Sequence, residues 1–247
     1  MILALVLGRG GSIGFPGKNT YEVLGRPMME YSILAAKNSK YIDEIYVSTD
    51  SDEIKDIARK NNANIIDRPD YLCTKDALHQ DAMIHGYEYL KEIKKDIEFI
   101  ILLQCNGPFI LASQLDEGIE KLRADNSFDS AATVSKYNMF SPVRARKIGK
   151  DGEIQSFVPF ENFLDTTTIN CDRNSQGDVY FTDGTFIVRP RCFENLEEGM
   201  LPYQWMGKKS YSVLNWGGVD VDFSWQVPQV ECWLKENGFT EKNTPYL

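Results

Sequence analysis

The chain has 247 residues, 43% hydrophobic and 26% charged, a globular composition long enough to bury the core of one large α/β domain. Its 27 basic and 36 acidic residues leave a formal net charge of −9, which argues against a broad nucleic-acid surface or a polybasic membrane patch. The total still allows one small polyanion at a local basic cluster.

The opening apolar run, Met1 to Leu7, has no basic flank and is interrupted by Arg9, so it predicts neither a signal peptide nor a membrane span, and a cytoplasmic protein is expected. Within it, Ile2–Leu7 reads as a buried parallel strand bounded by glycine. Pro27 opens a helix at its first turn, followed by Met28, Met29, Ile33 and Leu34 at helical spacing. A second strand covers Asp43–Asp50, Ser51 caps a helix reaching Lys60, and Ile65–Asp67 makes a third strand. Ala77–Lys95 is helical, Phe99–Leu103 is a fourth strand running into Gln104, Ser113–Ala124 is helical and Ser130–Ser135 is a fifth strand. This alternation predicts a mostly parallel sheet covered on both faces, with ligands beyond the carboxyl ends of its strands.

After Lys136 the rhythm changes. Lys136–Asp178 reads as an antiparallel excursion that covers a site or makes a subunit contact within one domain spanning 1–247. Strands return at Thr185–Val188 and Val219–Val221, and a final helix near Trp225–Glu236 is expected to pack Trp225 and Trp233 on the sheet.

Two histidines, His79 and His85, are too few for a three-histidine metal site, and five scattered cysteines without a CxxC form neither a disulfide framework nor a zinc site. The informative stretch is Gly8-Arg9-Gly10-Gly11-Ser12-Ile13-Gly14-Phe15-Pro16-Gly17-Lys18-Asn19, directly after the first strand. Glycines admit close approach of backbone amides to an anion, and Arg9 and Lys18 add charge that suits phosphate. Gly8, Gly10 and Gly14 match a GxGxxxG dinucleotide spacing, but Pro16 and Gly17 oppose the helix that motif needs. Tyr87 and Lys91 form a YxxxK that lies too early in the chain for a short-chain dehydrogenase. A Walker A loop fails because Ser12 and Asn19 stand where glycine and Ser/Thr are required.

Residues Leu3 to Ser12 followed by Pro16-Gly17-Lys18-Asn19 resemble the signature of the CMP-sialic acid synthetase (acylneuraminate cytidylyltransferase) family. Ile45–Asp50, Arg68-Pro69, Leu102-Leu103-Gln104, Asp183-Gly184-Thr185 and Asp220-Val221-Asp222 resemble further family elements in the same order. The resemblance implies a Rossmann-like nucleotidyltransferase fold, transfer of CMP from CTP to the anomeric hydroxyl of a sialic-like acidic sugar with release of pyrophosphate, a requirement for Mg²⁺, and a homodimer. It puts Leu7, Gly8, Arg9, Gly10, Gly11, Ser12, Lys18, Asn19 and Arg68 around the nucleotide, with Ser12 and Lys18 on phosphate and Asn19 on the ribose. His79 lies on the same nucleotide-facing segment, and Gln104 and Asn106 face the sugar acid with Asp183. Arg173 occupies the position of an arginine that reaches a neighbouring subunit's site.

Asp220 and Asp222 also stand on chemistry of their own. Two residues apart on a strand, their carboxylates would converge on one face, and paired oxygens suit Mg²⁺ that keeps waters and bridges phosphates. With Arg9 and Lys18 they make the expected catalytic set.

Departures from the family pattern cluster at the acceptor. Ile13 replaces a usual lysine, Gly14 stands where Kdo-type members carry arginine, Cys105, Asn106 and Ile110 alter the sugar loop, and Asp183 replaces asparagine. These changes point to an altered acidic acceptor, with a Kdo-like sugar, a phosphonate or a non-catalytic nucleotide-binding relative as alternatives.

Overall fold

The computed structural model describes residues 1–162 and 165–246; positions 163–164 of the expected excursion lie outside the described residues. In chain order the strands and helices are β1 (Ile2–Leu7), β2 (Glu22–Val23), β3 (Arg26–Pro27), α1 (Met28–Lys37), β4 (Glu44–Thr49), α2 (Asp52–Lys60), β5 (Asn64–Asp67) and α3 (His79–Ile93). They continue with β6 (Phe99–Gln104), α4 (Ala112–Ala124), β7 (Ser130–Lys136), β8 (Arg146–Ile148), β9 (Ile154–Ser156), β10 (Tyr180–Val188), α5 (Pro190–Glu194), β11 (Ser210–Asn215) and α6 (Val227–Glu236).

Seven strands form one sheet in the order β11-β7-β10-β6-β1-β4-β5. All neighbours are parallel except β10, which runs antiparallel to both β6 and β7. Every residue of β1 is buried, as a strand covered on both faces requires. Ile2, Ala4 and Val6 join one apolar cluster with residues of α1, α2 and α4, while Leu3, Leu5 and Leu7 join another with α3. Close layering depends on two helical glycines: a Cβ on Gly86 would stand 2.6 Å from Leu5 Cδ2, and one on Gly118 2.6 Å from Ile187 Cδ1. Ser51 Oγ accepts from the Ile54 amide and so caps α2 as expected.

β1 is the switch point: the chain leaves it for β4 on one side and β6 on the other, which opens a crevice at the carboxyl ends of all three strands.

Four expectations change. Val219–Val221 is not a strand; Gly218–Asp222 is irregular. A parallel edge strand, β11, lies instead at Ser210–Asn215. β10 begins at Tyr180, five residues before the expected strand, and its pairing with β7 shifts register between Thr182 and Phe186, a bulge centred on Asp183-Gly184-Thr185. Finally, Trp225 is 71% exposed and stacks on Phe223 with centroids 6.0 Å apart, so it does not pack under the final helix. Trp233 is buried, but against Phe109 and a third cluster with Val23, Met28 and Tyr31 rather than on the seven-stranded sheet. The 136–178 stretch contains the antiparallel pair β8–β9, with Ile148 and Ile154 exposed.

Candidate active site

A cleft of about 480 Å³ occupies the crevice beyond β1, β4 and β6. The glycine-rich loop supplies Gly8, Arg9, Ser12, Lys18 and Asn19, Arg68 follows β5, and His79 opens α3. Gln104 ends β6, Asn106 follows it, and Asp220 and Asp222 come from the irregular segment after β11; all of these line the cleft, as does Leu7.

No helix begins within the glycines; the next is α1, after the β2–β3 ribbon. Gly8 is needed for a close approach, since a Cβ there would stand 2.4 Å from Cys105 Sγ. Gly14 packs against the acidic segment: its Cβ would lie 2.8 Å from the Asp222 carbonyl, so no larger side chain has room on this backbone. Ile13 lines the cleft and is 75% exposed, an uncharged side chain in the glycine-rich loop.

The cations are already engaged. Lys18 Nζ lies 2.6 Å from Asp222 Oδ1, with the lysine side chain 14% and the aspartate 60% exposed. Arg9 donates through Nη1 to the Cys73 carbonyl at 3.1 Å and to the Thr74 carbonyl, tying the glycine loop to the segment before α3. Arg68 is buried and donates Nε to Ser48 Oγ at 3.2 Å and Nη2 to Ser48 O at 2.7 Å. Asn19 donates to the Arg9 carbonyl at 3.0 Å, and its buried Oδ1 has no partner.

Asp220 is exposed as a residue, but desolvation of its carboxyl in the cleft together with the Asp222 charge pushes that carboxyl up to about 6, with Lys18 acting in the opposite sense. Desolvation and the nearby Arg68 and Lys18 charges push the His79 imidazole down to about 4. That ring keeps contact with cleft water, which moderates the desolvation, but both cations act the same way and leave it neutral at neutral pH.

Several expected site residues are placed differently. Gly10 and Gly11 do not line the cleft, and the Gly10 amide donates to Asp50 Oδ1 at 2.8 Å, so it is not free for phosphate. Asp183 does not face an acceptor. It is 2% exposed beneath Gly218, whose Cβ would come within 2.4 Å of Asp183 Cγ, and it accepts from Ser135 Oγ at 3.0 Å. Burial pushes its carboxyl up to about 6. Arg173, expected at a neighbouring subunit's site and not at this one, is exposed in the excursion outside this chain's cleft. Asn106 reaches the cleft, yet its Nδ2 donates to the Val221 carbonyl at 3.1 Å, so its carboxamide holds the acidic segment.

Other lining residues were not expected: Leu72, Leu78, Ala82 and Phe223 give the cleft its apolar surface. Ala82 is three residues after His79 on α3, and helical spacing puts both on one face. Phe223 directly follows Asp222. Nothing in the sequence marks Leu72 or Leu78. The YxxxK pair is structural: Tyr87 and Lys91 both donate to Glu194 Oε1, at 3.1 and 2.8 Å.

Two carboxylates and no third His, Cys, Asp or Glu ligand gather here, and no larger cluster occurs among the described residues. That donor set fits Mg²⁺, which binds through one or two carboxylates and completes its octahedron with water and phosphate. The unfavourable proximity of Asp222 to Asp220 is the kind of charge excess a divalent cation relieves.

A switch-point cleft with a glycine loop, three cations and an acidic pair is the arrangement of a nucleotidyltransferase. The cytidylyltransferase family profile matches residues 3–150, and the chain belongs to that family. The CMP-N,N'-diacetyllegionaminic acid synthase of Legionella pneumophila is 30% identical over 201 residues, covering 78% of this chain and 82% of its own. The N-acylneuraminate cytidylyltransferase of Oncorhynchus mykiss is 26% identical over 232 residues and covers 92% of this chain; the chain spans about half of its length, 49%. The fold is Rossmann-like, and a solved structure of CMP:2-keto-3-deoxy-manno-octonic acid synthetase complexed with CTP superposes on it with a TM-score of 0.66 at 15% identity, covering 95% of this chain and 98% of that one. No helix among the described residues is long and apolar enough to cross a membrane.

Proposed function

We propose that this protein is a Mg²⁺-dependent cytidylyltransferase that moves CMP from CTP to an acidic, sialic-like sugar. The acceptor hydroxyl oxygen forms a bond to the α-phosphorus and gives up its proton to solvent, the bond from that phosphorus to the bridging oxygen breaks, and pyrophosphate leaves. The observation that carries this reading is the cleft itself, in which Arg9, Lys18 and Arg68 line one space of about 480 Å³ together with Asp220 and Asp222. Three cations suit a triphosphate and the negative charge that grows on its leaving group. Lys18 exchanges its ion pair with Asp222 for phosphate, which frees the aspartate. Asp220 and Asp222 would hold Mg²⁺, whose charge would neutralise the phosphate oxygens. Asn19 lines the cleft and its Oδ1 has no partner, an acceptor that suits a ribose hydroxyl donor. Gln104, buried at the end of β6 and lining the cleft, is the candidate contact for the acceptor.

In this reading the protein is cytoplasmic and dimeric, with the 136–178 excursion carrying Arg173 toward the neighbouring subunit's cleft. Sedimentation of the purified protein as a monomer would remove that part alone.

A pyrophosphate-release screen crossing four nucleoside triphosphates with a panel of sugar acids tests the activity. Release with CTP and one acidic sugar is the expected result. CTP binding without release from any acceptor would instead support the non-catalytic relative, which the uncharged, exposed Ile13 favours.

A further inference from the structure

The segment Asp220–Phe223 lies outside every strand and helix, so its backbone groups must find partners elsewhere. Two residues supply them. From the β6 side, the Asn106 carbonyl accepts the Val221 amide at 3.0 Å while Asn106 Nδ2 donates to the Val221 carbonyl at 3.1 Å. From the other side comes Gln226, which does not line the cleft. Its Oε1 accepts the amides of Asp222 and Phe223 at 2.8 Å each, and its Nε2 donates to the Asp220 carbonyl at 3.3 Å. One carboxamide thus joins the backbone of both aspartates. Like charges on an untethered loop move apart to relieve repulsion. A loop bonded at both ends of the pair cannot do so without breaking hydrogen bonds.

We propose that Gln226 is the positioning residue of the acidic pair, holding Asp220 and Asp222 at the spacing at which their carboxylates meet a divalent cation. This rests on the metal-assisted reading above and deepens it, because it assigns the geometry of the cation site to a side chain outside the cleft. The competing role is local: Gln226 also closes the turn Ser224–Gln226, and that alone would make it a matter of stability.

Gln226→Met separates the two, since methionine keeps the volume and removes all three hydrogen bonds. Binding of Mn²⁺ in the presence of CTP, followed by electron paramagnetic resonance, is the direct readout. The variant is expected to bind Mn²⁺ about 10–100-fold more weakly, the usual effect of losing an outer support of a metal site. Its affinity for CTP without metal is expected to stay within about twofold, and its loss of turnover to fall on kcat rather than on KM for CTP. Unchanged Mn²⁺ affinity in the variant would overturn the proposal. Hydrogen exchange in the unmutated protein checks the same premise without a variant: slow Asp222 and Phe223 amides are expected, and free exchange at both would overturn it. If the unmutated protein binds CTP but no Mn²⁺, the metal-assisted reading itself fails, whatever Gln226→Met does.

Discussion

Lys18 Nζ meets Asp222 Oδ1 at 2.6 Å, an ion pair between positions 204 apart that joins the glycine-rich loop to the acidic segment. Because Asp222 is largely exposed, the pair contributes about 1 kcal/mol or less to stability. Its interest lies in exchange, since each partner has a stronger alternative in a phosphate or a divalent cation. Lys18→Met is therefore expected to lower kcat/KM for CTP by about 10²–10³-fold, the range for a lost transition-state charge contact. Thermal denaturation should move little, and steady-state pyrophosphate release read beside the melting curve checks both halves.

Gly184 sits in the β10 bulge at φ +83°, and a Cβ there would stand 2.4 Å from Asp220 Oδ1. Gly184→Ala combines backbone strain with displacement of Asp220, and urea unfolding should register a loss of about 1–3 kcal/mol. Activity is expected to fall further than stability explains. A variant with normal turnover would remove the requirement for glycine here.

The raised carboxyls set a pH dependence. Asp183 and Asp220 are both raised to about 6, well above the ordinary 3.8. A raised carboxyl contributes stability that is complete below its unfolded value and is lost as pH climbs through its folded value. These two groups therefore favour the folded state near pH 4 and weaken it by pH 7. Asp183→Asn removes one of them, so the variant should match the parent near pH 4 and exceed it by about 1–3 kcal/mol at pH 7.5. Urea titrations at several pH values, without divalent cations, measure the difference directly.

Chelation addresses the acidic pair from the other direction. Removing divalent cations with EDTA is expected to abolish pyrophosphate release, and added Mg²⁺ to restore it. Asp222→Asn should reduce turnover by about 10²-fold or more at saturating Mg²⁺. Full turnover in EDTA would dismiss the role assigned to Asp220 and Asp222.

The parallel half of the sheet is legible in the sequence because burial on both faces writes itself as continuous apolar runs, as in Ile2–Leu7 and Phe99–Gln104. Edge strand β11 is not, since only Val213 of Ser210–Asn215 is fully buried and neither a run nor a clear alternation results. Asp220 and Asp222 reach the cleft as their pairing suggested, but from an irregular segment shaped by Asn106 and Gln226, contacts that no local pattern records. Arg68 carries its reason in a hydrogen bond to Ser48, twenty positions earlier on the neighbouring strand. The same holds for Gly10, whose amide is taken by Asp50, and for Asp183, whose neighbours Ser135 and Gly218 come from distant stretches.

The antiparallel β10 lies between β6 and β7, and only β7 pairs with β11. As the polypeptide leaves the ribosome, β1, β4, β5 and β6 can associate before residue 180 exists, and with them the loops that carry Arg9, Lys18 and Arg68. The sheet closes only when β10 slots beside β6 and brings β7 and β11 with it, a late joining of sequence-distant strands that slows folding. Asp220 and Asp222 follow β11, so the cationic side chains of the cleft can be in place before the acidic pair joins them. In the proposed reading, the residues that would hold a triphosphate are therefore translated well before the pair that would hold its metal.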